Sequence, residues 1–167
     1  MFNFQVDTPS FIKSKNIGKK GESAVIEYYI SKGKNVIDVS EQREFQKIDV
    51  DLIIDDEFIE VKTQSSINKN QKLTLELEIN KNDDVYCLGW FYQTEANILI
   101  FYDKFTNTAY SIRTAELREL FNKHSNEFDI YYFDEEYKVS KLAFVNIDFL
   151  KNNAKSFEII NYNTTTA

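Results

Sequence analysis

The chain has 167 residues, 43% of them apolar and 15% aromatic, enough bulky side chains to build one core, so a single globular domain over 1–160 is expected, with a frayed polar tail over 161–167. One cysteine cannot close an internal disulfide, and one cysteine with one histidine excludes a structural zinc site within one chain. The net charge of −7 argues against a generic nucleic-acid coat, and the longest clean apolar run, Ala96 to Tyr102, is too short to span a membrane, so a soluble, cytoplasmic protein without a membrane partner is expected.

Residues 1–12 contain Pro9 and no sustained period, and are expected as an arm or short strand. From Gly18 to about Ser31 the apolar spacing predicts a helix, with Gly33 suited to its C-terminal cap. Glu22 lies three, four and seven residues before Val25, Ile26 and Tyr29, and so shares the stripe that should face the core. An acid in a first turn also favours the helix dipole, but the segment downstream makes a functional reading the better one. Asn35 to Val39 reads as a short strand, and Ser40 to Gln46 as a solvated polar connector.

Ile48 to Lys62, IDVDLIIDDEFIEVK, is the most informative stretch. Alternation places Asp49, Asp51 and Ile53 on one face of a first strand, and Phe58, Glu60 and Lys62 on one face of a second. If the hairpin turns through Asp55 and Asp56, Asp51 falls opposite Glu60 and Asp49 opposite Lys62. Directly opposed residues have Cβ atoms about 4.5–5.5 Å apart. Two carboxylates that close repel unless positive charge lies between them, and the usual source is a divalent cation held by hard oxygen ligands.

Beyond Lys62 the segment Thr63 to Lys72 is polar and carries Gln64 and Lys69, a composition suited to lying beside a phosphate backbone. Leu73, Leu75, Leu77 and Ile79 then alternate with polar residues, which predicts a half-exposed strand. Asp84 to Glu95 gathers Tyr86, Trp90, Phe91 and Tyr92, rings that fill the core of a small domain more readily than they stack on bases. Cys87, in the apolar run VYCLGWFY, reads as a packed small hydrophobe. Ile98–Tyr102 and Thr108–Arg113 are expected as strands, and Thr114 to about Lys123 as a helix with Thr114 as N-cap and Leu117, Leu120 and Phe121 as its apolar stripe. His124 reads as a charge at that helix's C-terminus. Residues 127–137 suggest a strand edge and a turn, Lys141–Ile147 a last strand and Asp148 to about Asn153 a short helix.

No serine or cysteine nucleophile motif surrounds His124, and Gly18 and Gly21 lack the spacing of a phosphate-cradling loop. Paired carboxylates also serve glycoside hydrolysis, but a lysine in the same cluster suits phosphodiester chemistry better. An acid at the end of one strand, Glu-x-Lys on the next and a glutamate on a preceding helix together resemble the PD-(D/E)XK nucleases, among them restriction endonuclease-like and Holliday junction resolvase-like enzymes. The matching residues are Asp51, Glu60-Val61-Lys62 and Glu22, within residues 18 to 64. Val50 stands where that family's proline precedes the motif aspartate, which leaves Asp49 and Asp51 as rivals for the metal position.

The resemblance implies an α/β (mixed α+β) restriction endonuclease-like fold, a central mixed β-sheet flanked by helices. It implies a Mg²⁺-dependent deoxyribonuclease, Mn²⁺ being a substitute, with catalytic residues Glu22, Asp51, Glu60 and Lys62. Metal ligands would be Asp51, Glu60 and the Val61 backbone oxygen, with Asp49 as an alternative ligand. DNA is the implied partner, and a homodimer is a further expectation. Lysines outnumber acids six to three over residues 1–34, and Lys15, Lys19 and Lys20, with Gln64 and Lys69, are the candidate nucleic-acid contacts. The alternatives are a catalytically inactive module of the same fold that binds nucleic acid or protein, and a structural protein in which the hairpin is a surface ion-pair ladder.

Overall fold

A computed structural model of the chain describes residues 9–65, 67–81, 85–135 and 138–162, the side chains of residues 9–15, 81, 85 and 135 excepted. Helix α1 (Pro9–Ser31) is followed by β1 (Val36–Asp38), α2 (Arg43–Gln46), β2 (Leu52–Ile54), β3 (Glu57–Gln64), α3 (Ile67–Asn70), β4 (Lys72–Lys81), β5 (Val85–Leu88) and α4 (Trp90–Gln93). Then come β6 (Ile98–Asp103), β7 (Thr108–Arg113), α5 (Thr114–Lys123), β8 (Asp129–Glu135), β9 (Lys138–Asn146), α6 (Ile147–Asn153) and β10 (Glu158–Asn161).

Helix α1 begins at Pro9, so the second part of the expected arm is helical; proline tolerates a first helical turn, where its missing N–H leaves no bond unmade. Residues 1–8 lie outside the described residues. At the other end Gly33, with φ +74°, closes the helix: its N–H donates to Ile30 and that of Lys34 to Tyr29. The β2–β3 hairpin turns through Asp55 and Asp56, φ 47° and 68°, the double left-handed geometry that matches strand twist. Leu52 therefore lies opposite Ile59 and Ile54 opposite Glu57, the expected register. Asp55 ties this turn to β1 by accepting from the Asn35 N–H at 3.0 Å and the Lys34 ammonium at 2.7 Å.

Six strands form a mixed sheet in the order β1-β2-β3-β6-β7-β10, in which β3 and β6 run parallel and the other pairs antiparallel. The expected fold class, a central mixed sheet flanked by helices, is what is found. Leu52, Ile54, Ile59, Val61, Ile100 and Tyr102 point to one face, where they pack against Val25 of α1. Leu99, Phe101, Tyr110 and Ile112 point to the other and share a core with Leu73, Leu75, Leu77, Ala143 and Val145 of a second, four-stranded sheet ordered β5-β4-β9-β8. Phe91 of α4, Leu117 and Phe121 of α5 and Leu150 of α6 complete that core.

Several expectations need correction. The first hairpin strand starts at Leu52, not Ile48, because Asp49 adopts φ 48° and breaks the extended chain. The polar segment from Thr63 is largely regular structure, since β3 runs on to Gln64 and α3 follows. Residues 43–46 of the polar connector are helical. The aromatic segment is β5 and α4, joined at Gly89. Arg113, not Thr114, is the N-cap of α5, and no side chain caps it. The strand at Lys138–Asn146 is not the last: β10 pairs with β7, placing Asn161 of the expected tail opposite Thr108 and burying Tyr162. Residues 163–167 lie outside the described residues. His124 does end α5, within 2.7 Å of Glu127.

The approach of α1 to β3 depends on Gly21. A Cβ at Gly21 would stand 1.9 Å from Thr63 Oγ1 and 3.2 Å from the Tyr102 ring. Gly→Ala in a helix interior ordinarily stabilises by up to about 1 kcal/mol, whereas overpacking costs about 1–3 kcal/mol. Gly21→Ala is therefore expected to lower the melting temperature, and Thr63→Ala in the same chain to recover most of the loss. Thermal melts of the two single variants and the double variant measure this, and a stabilised Gly21→Ala protein would contradict the close approach.

Candidate active site

Where the β2–β3 ladder ends, a side chain takes over from the backbone. The Asp51 N–H donates to Ile59 O at 2.9 Å, and the Asp51 carboxylate accepts the next free N–H of β3, that of Val61, also at 2.9 Å. This pins Asp51 against the facing strand, near enough to Glu60 for the two carboxyls to act on each other. Glu60 is 3% exposed and makes an ion pair through Oε1 with Lys62, two residues along the same face. Lys62 is 26% exposed and sets its ammonium 4.8 Å from the Trp90 ring centroid. Trp90 owes its place to Gly89, whose N–H bonds Leu77 O at 2.8 Å and where a Cβ would come within 2.2 Å of Glu76 O.

Glu22, Asp51, Glu60, Val61, Lys62 and Thr63 line one open cleft of about 460 Å³, together with Ile17, Gly18, Ser65 and Lys104. Glu22 reaches it from α1, one residue beyond the glycine that brings the helix down on β3. Burial pushes the Glu60 carboxyl well above its usual range despite the Lys62 ammonium, and the neighbouring Asp51 adds to the effect. Asp51 is pushed up by burial too, against the pull of the Val61 N–H and Lys62. Glu22 is raised by burial and then by Asp51 and Asp38, with a Ser40 hydrogen bond and Lys19 opposing. Burial alone would lower Lys62, but Glu60, Asp51 and Asp49 outweigh it and hold the ammonium charged.

Among the described residues, no three histidine, cysteine, aspartate or glutamate side chains gather closely enough to hold a metal by themselves. The donor pair in the cleft is Asp51 with Glu60, and Glu60 Oε2 is buried with no hydrogen-bond partner among the described residues. A buried carboxylate oxygen without a donor asks for one, and an all-oxygen set fits a hard cation such as Mg²⁺.

The other sequence candidates are placed less centrally. Asp49 stands outside the hairpin ladder, so it does not pair across from Lys62. Its half-buried carboxyl is raised by burial, and Lys62, Asp51 and Glu76 are the charges that act on it. Lys19 makes an exposed ion pair with Glu41 beside Glu22, and Lys20 is exposed. Lys69 is exposed on α3 and does not line the cleft. Gln64 is committed elsewhere, its amide donating to Thr74 O at 2.7 Å and accepting from Thr74 N at 3.1 Å, which braces the two sheets together. The side chain of Lys15 lies outside the described residues.

Lys104 and Trp90 are contributors that the sequence did not single out. Lys104 becomes visible only through the parallel pairing that sets Gln64 beside Asp103. Trp90 carried one signal, as the single tryptophan of the chain.

Asp51 has a pH signature. The folded chain binds its proton more tightly than the unfolded chain does, so its contribution to stability falls as pH rises from the ordinary Asp range near about 4 through the raised folded value. In chelator, Asp51→Asn is expected to melt higher than wild type at pH 7, by about 0.5–2 kcal/mol, the scale of an ordinary stabilising substitution. The gap should close toward pH 4. Thermal melts across pH check this, and a gap that does not change with pH would mean that Asp51 carries no buried charge.

No protein-family model matches the sequence, and no curated protein matches it. Among solved structures the fold is similar to a bacterial homing endonuclease, I-Ssp6803I, at 15% sequence identity, a TM-score of 0.50 and coverage of 85% of this chain and 84% of that one. At this identity the likeness concerns the fold alone. No helix among the described residues is long and apolar enough to cross a membrane.

Proposed function

We propose that the chain is a metal-dependent nuclease that hydrolyses DNA phosphodiester bonds through a PD-(D/E)XK-type site of Glu22, Asp51, Glu60 and Lys62. The observation that carries this reading is a buried carboxyl, Glu60, with one oxygen lacking a donor among the described residues, next to the half-buried Asp51 and beside a charged lysine in an open cleft. The fold shared with a homing endonuclease supports it.

Asp51, Glu60 and the Val61 carbonyl would hold Mg²⁺, or Mn²⁺ in its place, with Asp49 as an alternative ligand; when bound, the cation supplies Lewis acidity toward the scissile phosphate. Hydrolysis adds water across a P–O bond: the attacking water loses a proton and the leaving oxygen gains one. Lys62, held as an ammonium, would donate hydrogen bonds to the phosphoryl oxygens as negative charge builds on them. Glu22, whose raised carboxyl brings it nearer neutrality, would orient the attacking water and take its proton. Lys104 and the lysines of α1, Lys15, Lys19 and Lys20, would meet the backbone phosphates. This reading also keeps a single domain, a cytoplasmic location and a homodimer.

The second reading is a catalytically inactive module of the same fold, favoured by the Lys62–Glu60 ion pair, which satisfies part of the charge without a cation.

Linear duplex, single-strand, flap and four-way junction DNA offered with Mg²⁺ or Mn²⁺ separate the two. Cleavage is expected, with Lys62→Ala and Glu60→Gln each slower by about 10²-fold or more, the usual scale for losing one acid–base or charge-stabilising group. Equal rates for wild type and Lys62→Ala, or no cleavage of any substrate, would end the enzyme reading.

A further inference from the structure

The β6–β7 turn presents an aromatic ring to solvent beside the cleft. Phe105 is 73% exposed, the most exposed of the large apolar side chains described. Its neighbour Lys104 lines the cleft and carries its ammonium 5.1 Å from the Phe105 ring centroid. Exposure alone would say little, since single surface hydrophobics are common.

This ring, however, is held out on a braced turn. Asp103, buried at its base, accepts from the Phe105 N–H at 2.9 Å and from the Asn68 N–H at 2.8 Å. At the far side Asn107, with φ 54°, accepts from the Tyr102 hydroxyl at 2.7 Å and, through its backbone oxygen, from the Tyr162 N–H at 3.0 Å. The turn is thus tied to α3, to β6 and to the end of β10. A ring presented on a rigid support loses little conformational freedom when something packs on it.

Position decides what that partner is. β3 and β6 run parallel with Lys62 beside Phe101, so Lys104, the residue that follows β6, lies three residues, about 10 Å, farther along the strand direction than Lys62. That distance is about three base steps of 3.4 Å. A cation that meets a phosphate and an aromatic face next to it are the two groups that recognise a nucleotide whose base has left its stack, because every base has a π-face but only an unpaired one can offer it.

We infer that Phe105, with Lys104, is a stacking site for an unpaired base a few nucleotides from the scissile phosphate, which would direct the chain to DNA that is single-stranded or locally opened. The inference rests on the reading above that the cleft takes nucleic acid, and it deepens that reading by naming the substrate class.

The test is binding measured in Ca²⁺ by fluorescence anisotropy, with a single-stranded oligonucleotide, a duplex with a short unpaired flap, and the same duplex fully paired. Wild type is expected to favour the first two over the paired duplex. Phe105→Ala should lose about 5–150-fold of that preference, the range of one base–aromatic stack, while Phe105→Trp keeps it and all three proteins melt alike and bind paired duplex alike. A wild type that binds the three ligands equally, that binds none, or whose preference survives Phe105→Ala overturns the inference. The Lys62→Ala cleavage comparison stands apart, so a failed stack and a failed nuclease site are told from each other.

Discussion

Two carboxyl groups held in a poorly solvated corner are the constraint around which this molecule is arranged. Glu60 belongs to a strand interior, flanked by residues that must face the core, and the hydrogen bond from the Val61 N–H holds the Asp51 carboxylate beside it, close enough to raise it. Burial opposes the ionisation of both, and the chain supplies only part of the compensation, through Lys62 and the Val61 N–H. What is left over is a buried Glu60 oxygen without a donor among the described residues. A stable protein has no use for such an arrangement, because replacing a partly satisfied polar cluster by apolar residues is commonly neutral or stabilising. Stability given up locally is a usual mark of a working site.

The surrounding architecture serves that corner. Gly21 lets α1 lie close enough on Thr63 for Glu22 to reach the cleft. Gly89 lets the chain turn tightly over the irregularity between Glu76 and Glu78 of β4, and so places Trp90 where its ring faces the Lys62 ammonium. Gln64 locks the end of β3 to β4 with two hydrogen bonds to Thr74. The parallel strands β3 and β6 finish side by side, and the space beyond the carboxyl ends of parallel strands is where open α/β sheets commonly bind ligands. Ser65 and Lys104, the residues that follow those ends, line the cleft for that reason.

A negative net charge and a nucleic-acid substrate are compatible once the distribution of charge is considered. Lys62 and Lys104 line the cleft, and Lys19 and Lys20 are exposed on the helix that borders it. Much of the acidity lies elsewhere, as in the edge strand β8, where Asp129 pairs with Lys72. Within the cleft, part of the negative charge belongs to the groups that would bind a cation, so the potential a phosphate meets depends on whether that cation is present.

Local rules in the sequence determined a good deal. Alternation on both arms of the hairpin, and a two-residue Asp-Asp turn, set Leu52 across from Ile59 and Ile54 across from Glu57, because a one-residue slip would have turned the apolar set out of the core. Helical spacing put Glu22 on the inward stripe of α1, and β7 was legible to the residue. Tertiary structure alone decided the rest. Asp49 left the ladder through a left-handed backbone that alternation does not register. Gln64, polar enough to suggest a phosphate contact, was drawn to Thr74 by a second sheet whose position no local pattern records. β10 forms only because β7 offers a free edge to the end of the chain. Lys104 and Trp90 arrive at the cleft through a parallel crossover and a close-packed glycine. The division follows from range: periodicity and turn chemistry act between residues a few positions apart, while strand order, crossovers and the packing of one sheet on another bring together groups that the sequence leaves dozens of residues away from each other.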